Sequence, residues 1–172
     1  DITGNGFADR AHVAFGTDFT TAFDSEFDAR KLMSKPEQPS LYVNDGSLLY
    51  SIYAQPSIAA VQIVPVDFVA GANGTFTIDA DLNAFDPTAL VFLEDRLLGT
   101  MTNLQMVSSY TFTASVNDAA GRFALHFYPG MEVVTNDATC DGNDGNITFN
   151  QPGTTEWALE LVDANGAVVY TD

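Results

Sequence analysis

The sequence predicts an all-β chain: an antiparallel β-sandwich of Ig-like or jelly-roll-like type, followed by a second, short Ig-like β segment. Three observations predict it. Apolar residues recur with a period of two rather than 3.6. Asn-Gly and Asp-Gly turn signals punctuate the alternating runs. No segment carries a long amphipathic helical pattern.

The clearest strands come from the middle of the chain. "GTFTIDADL" alternates Phe76, Ile78, Ala80 and Leu82 against Thr75, Thr77, Asp79 and Asp81. "SSYTFTASV" sets Tyr110, Phe112 and Ala114 against Thr111, Thr113 and Ser115, and "GRFALHFY" sets Phe123, Leu125 and Phe127 against Arg122, Ala124, His126 and Tyr128. "AHVAF", "SLLYSIYA", "AAVQIVPVDFV", "ALVFLED", "GNITF", "TEWALELVD" and "AVVYT" are the further candidates, rich in β-branched and aromatic residues. Asn44-Asp45-Gly46, Asn73-Gly74 and Asn165-Gly166 are expected to close tight hairpins, because glycine accepts positive φ at no steric cost. Pro65 lacks the N–H that a ladder needs, so its segment is expected at a sheet edge or at a bulge. Pro129-Gly130 ends the last strong strand and a run rich in Asn, Asp and Gly follows, which places the first sandwich in residues 1–129 and a partial Ig-like domain in 130–172.

Composition bounds the function. The chain has 172 residues, 46% hydrophobic with 13 Phe, enough to bury a sizeable core. Six Lys+Arg against 23 Asp+Glu give a net charge of −17, which repels phosphate backbones and anionic lipids. Nucleic acid and membrane-surface partners are therefore disfavoured. No apolar run approaches the ~20 residues that span a bilayer. Cys140 is the only cysteine, so no intrachain disulfide forms. The chain begins with Asp, as a processed or excised piece of a longer protein would. Near-absent lysine and abundant Asp, Asn and Thr suit saline, extracellular conditions.

Chemistry-bearing residues are few. In "TAFDSEFDARKL", Asp24, Glu26 and Asp28 fall at every second position, with Phe23 and Phe27 between them. An extended segment would put the acids on one face, about 7 Å apart, and both Phe in the core. That face is either a solvated surface ending in Arg30 or part of a Ca²⁺ site completed by loop carbonyls. A glycosidase pair needs acids facing each other across a cleft, which one strand does not supply. "CDGNDGN" fails the EF-hand spacing, since Gly145 stands where the third donor belongs, so it reads as a turn, with Asp141 and Asp144 as a second choice for an ion. His126 is expected half-exposed beside Arg122, and Glu94-Asp95-Arg96 is expected to form exposed ion pairs, Arg122 being one partner. No Gly-x-Ser-x-Gly elbow and no phosphate-binding loop exist.

Several stretches in order, "TTAFDSEFDARKL", "PSLYVNDGSLLYSIYA", "LEDRLLGTMTNLQMVSSYTFTAS" and "GRFALHFY", resemble a β-sandwich module near the C-terminus of large secreted proteins of Bacteroidota. Those proteins leave the cell by the type IX secretion system. "CDGNDGNITFNQPGTTEWALELVDANGAVV" resembles the start of the Ig-like repeat that follows in such chains. The resemblance implies a non-catalytic, surface-located module of adhesin or stalk type. Its implied partners are other domains of the same long chain, surface polysaccharide or the secretion machinery, with no membrane insertion. The alternative is a carbohydrate-binding accessory module of a secreted polysaccharide-degrading enzyme. That reading asks for a flat platform of exposed aromatics, for which Tyr42, Tyr50, Tyr53 and Trp157 are the candidates.

Overall fold

A computed structural model describes residues 1–130, 132–140, 142, 144–150, 160–162, 165 and 167–171. Every regular element among them is a β-strand. One sheet has four strands in the order β11-β8-β1-β2: Ser109–Ala114, Gly74–Asp79, Ile2–Gly4 and Phe7–Asp9. The other runs β10-β9-β12-β7-β5-β6-β3: Thr100–Asn103, Leu90–Asp95, Phe123–Tyr128, Gln62–Val69, Ser40–Asn44, Leu49–Pro56 and His12–Gly16. β4 (Ala29–Arg30) joins this second sheet through β6. Among the described residues every ladder is antiparallel except β3 with β6. Two further hairpins pair β13 (Glu132–Asn136) with β14 (Asn146–Asn150), and β15 (Glu160–Val162) with β16 (Val168–Thr171).

The core lies between the two sheets, and the period of two explains who enters it. On β8, Phe76 and Ile78 are buried while Thr75 and Thr77 face outward. Thr77 hydrogen-bonds Thr111 across the outer face, Oγ1 to Oγ1 at 3.0 Å. Phe112 on β11 and Phe123 on β12 meet edge to face, centroids 4.8 Å apart. Val91, Leu93 and Asp95 of β9 share the inward phase, and all three are buried.

Three expectations are corrected here. Residues 23–28 are not a strand. Asp24 carbonyl accepts the N–H of Phe27 (3.1 Å) and of Asp28 (2.7 Å), closing a turn over residues 25–27 before β4 begins. The turn inverts the burial: Asp28 is buried, while Phe23 is exposed, with the Arg30 guanidinium 5.1 Å from its ring centroid. Second, β7 is a central strand despite Pro65. The β5 ladder on one side ends at Val43↔Val66, one residue short of the proline, so Pro65 sits where that ladder has stopped. Third, Asn73-Gly74 does not close a hairpin. Gly74 is the first residue of β8, and the chain there crosses from one sheet to the other. The Asp45-Gly46 turn does join the paired strands β5 and β6, with Gly46 at φ +89°. The tightest hairpin, between β1 and β2, uses Asn5-Gly6 with φ +52° and +81° at the two loop residues, a pair of signs that an Asn-Gly sequence satisfies.

Candidate functional site

The acids singled out in the sequence are placed individually. Asp28 Oδ1 accepts the N–H of Ala54 on β6 (2.8 Å), and its Oδ2 accepts the N–H of Asp24 (2.8 Å). Asp24 Oδ1 accepts the N–H of Glu26 (2.9 Å), and Glu26 itself is exposed. The three carboxylates do not face one point, and among the described residues no group of three or more His, Cys, Asp or Glu could hold a metal. Asp144 is exposed and turns back on its own loop, accepting from Thr139 N (2.7 Å) and Thr139 Oγ1. Those bonds from Thr139 hold its carboxyl below the usual range. Asp141 lies outside the described residues.

Among the described residues, the candidates Tyr42, Tyr50 and Tyr53 do not form an exposed platform. Tyr42 and Tyr50 are core residues, 6% and 2% exposed, because β5 and β6 lie inside the larger sheet. Burial raises the pKa of both phenols, helped at Tyr50 by its 2.7 Å bond to Asp45 and at Tyr42 by the charge of Asp67. Tyr53 is half-buried and packs edge-on against Tyr50, centroids 4.8 Å apart. Trp157 lies outside the described residues.

What the fold does assemble is a set of carboxylates that tie strands and loops together. Asp95 is the most developed. Its Oδ2 accepts from Arg122 Nη2 (2.7 Å) and Tyr110 OH (2.9 Å), while Oδ1 accepts the N–H of Leu97 (3.0 Å). The expected ion pair with Arg122 is present but buried, with side chains 0% and 9% exposed, rather than exposed. The reason is phase: Asp95 follows Val91 and Leu93 inward, and Arg122 lies over Phe112 and Phe123 at 4.6 and 5.0 Å. Burial pushes the Asp95 carboxyl up, and the bonds from Arg122 and Tyr110 with the guanidinium charge overrule it, so its pKa is lowered. Asp67, buried at the outer side of β7, accepts from Asn44 Nδ2 (2.8 Å) and Gly121 N (2.6 Å). Asp9 of β2 accepts from Lys31 Nζ and from Leu41 N (2.7 Å). His126 is half-buried and bonds Glu94 across the β9–β12 ladder at 2.9 Å, an interaction that lowers the Glu94 carboxyl.

These hubs predict a test. Asp28→Ala strands the buried Ala54 N–H and the Asp24 N–H, at a cost of about 1–3 kcal/mol in urea unfolding. Asp28→Asn keeps one acceptor oxygen and is expected to lose less.

A cavity of about 760 Å³ also opens between the sheets, walled by Val43, Val66, Ile78, Val91, Leu93 and Phe127. The lining mixes these apolar side chains with Asp1, Arg10, His12, Asp79, Asp81 and Asp86.

The family model for a domain of unknown function, DUF8693, matches residues 1–127, which carry the whole sandwich from β1 nearly to the end of β12. The chain belongs to this family. The DUF8693 domain is also similar to the minor fimbrium subunit Mfa5 of Porphyromonas gingivalis, 28% identical over 128 residues, or 74% of this chain. It spans 10% of the length of that relative. No solved structure matches the chain.

Proposed function

We propose that this DUF8693 chain is a non-catalytic structural module of a larger surface protein, a stalk or spacer beside adhesive domains, exported by the type IX system. The observation that carries the reading is the use of the acids. Asp9, Asp28, Asp67 and Asp95, the partly or fully buried carboxylates described above, all accept hydrogen bonds from backbone N–H groups and so serve to fasten the sandwich. A general acid or base needs a carboxyl facing a substrate instead. Among the described residues no buried side-chain N or O lacks a partner, as in native folds generally. The similarity to a fimbrium subunit supports the surface location, and a charge of −17 suits a solvated extracellular domain.

Antibody raised against the chain is expected to label intact cells of the producing organism, and protease treatment of those cells should remove the label. In a strain lacking the type IX machinery the antigen should stay inside the cell. Labelling only after permeabilisation would overturn the surface reading. Retention of the surface label in the secretion mutant would overturn the route.

A further inference from the structure

We propose that Lys31 and Asp9 become joined by an intramolecular isopeptide bond, an amide between Lys31 Nζ and Asp9 Cγ that locks one sheet to the other. The inference goes beyond the proposed role as a module, since an ion pair would suffice for that.

Four observations carry it. The chain holds only two lysines, and the Lys31 side chain is 4% exposed, unusual for a residue type that is almost never buried. Its ammonium is in direct contact with Asp9 Oδ2, on a side chain 17% exposed. The pair crosses the sandwich: Asp9 ends β2 in the four-stranded sheet, while Lys31 follows β4 in the larger sheet and is anchored there by its N–H to the Leu49 carbonyl (2.8 Å). The contacted oxygen also accepts the Leu41 N–H at 2.7 Å. An amine, a carboxyl carbon and a backbone donor on one oxygen are therefore held together away from bulk water.

The chemistry balances without a co-reactant. Burying an ion pair is expensive, so a proton passing from the ammonium to the carboxylate gives an uncharged amine and acid at no change in total protons. The amine lone pair attacks Cγ, and Leu41 N–H stabilises the developing charge on Oδ2 as an oxyanion donor does. The Nζ–Cγ bond forms, the transferred proton passes from Oδ2 to Oδ1 in the tetrahedral intermediate, the Cγ–Oδ1 bond breaks, and a second amine proton leaves with that hydroxyl as water. The amide keeps one N–H. Fixed proximity replaces the activation that a solution amide would need, since effective molarities of ~10⁵ M and above are reached in well-oriented pairs. The product removes two buried charges and forms a covalent tie between the sheets.

The test is the intact mass of the folded chain, followed by peptide mapping. The expected result is a mass lower than the sequence mass by one water, with a branched peptide joining Asp9 and Lys31. Lys31→Arg, which keeps the cation but cannot form the amide, should restore the full mass. The same holds for Asp9→Ala, and each can be weighed whether or not it folds well. An unmodified mass after prolonged incubation of the folded wild-type chain would overturn the proposal. So would a water deficit that maps instead to Asp45-Gly46, where succinimide formation also expels water.

Discussion

Replacing Arg122 with alanine should lower the unfolding free energy by about 3–5 kcal/mol, the cost of leaving a buried carboxylate without its cation. Asp95 is 1% exposed, and its remaining donors after the substitution would be Tyr110 and the backbone N–H groups of Leu97 and Leu98. The guanidinium also covers the faces of Phe112 and Phe123 and donates to the Thr113 carbonyl (2.9 Å), so the packing of three strands is lost with it. Arg122→Lys should rescue little, because one ammonium cannot supply the Nε and Nη2 pair that grips Asp95. Arg122→Met with Asp95→Leu should recover more than either change alone, since no orphan charge remains. Guanidinium unfolding of the variants would decide it, and a loss below 1 kcal/mol for Arg122→Ala would reject the buried-pair account.

The same pair sets a pH dependence. The folded Asp95 carboxyl lies below its value in the unfolded chain, so the folded state binds fewer protons in acid. Its contribution is complete above the ordinary carboxylate value of about 4 and is lost as pH falls through the lower folded value. Wild-type stability should therefore drop on acidification in that window. In Arg122→Ala the drop should be blunted, because the cation that depresses the carboxyl is gone.

Gly4 and Phe76 should behave as a coupled pair rather than as two sites. They face each other across the β1–β8 ladder, and the Phe76 ring lies over the glycine so closely that a Cβ there would sit 2.1 Å from the ring. Gly4→Ala alone should cost about 1–3 kcal/mol by overpacking a ring that is 1% exposed and wedged against Phe68 and Phe112. Phe76→Ala alone should cost about 3–5 kcal/mol by opening a cavity at the centre of the core. In the double variant the new methyl enters space that the ring has left. The two losses should then fall short of additivity by about 1 kcal/mol or more in a denaturant double-mutant cycle. Additive losses would mean that the ring can swing aside at no cost.

The local pattern was enough for the fold class. Alternation over "GTFTID", "SYTFTA" and "FALHFY" matches the burial of Phe76, Ile78, Phe112, Phe123 and Phe127, because a strand presents every second side chain to one face whatever the topology. The same alternation, carried two residues past Leu93, was a legible signal that Asp95 turns inward, yet the acid's charge suggested an exposed pair. The 23–29 segment fails for the opposite reason. A spacing of two is also compatible with a turn, and the backbone bonds that the Asp24 carbonyl accepts from Phe27 and Asp28 select the turn. Neither Lys31 nor Asp9 stood out, since their contact spans 22 residues and two sheets.

The sequence by itself determined that the chain is β-structured and acidic, with no apolar run of bilayer-spanning length. These are properties of single residues and their nearest neighbours. Tertiary structure alone decided which acids are structural, because a carboxylate's role depends on what faces it. At Asp28 that is the N–H of Ala54, at Asp95 the guanidinium of Arg122, and at Asp9 the ammonium of Lys31. Those partners come from other strands and loops, brought close only when the two sheets close on their common core.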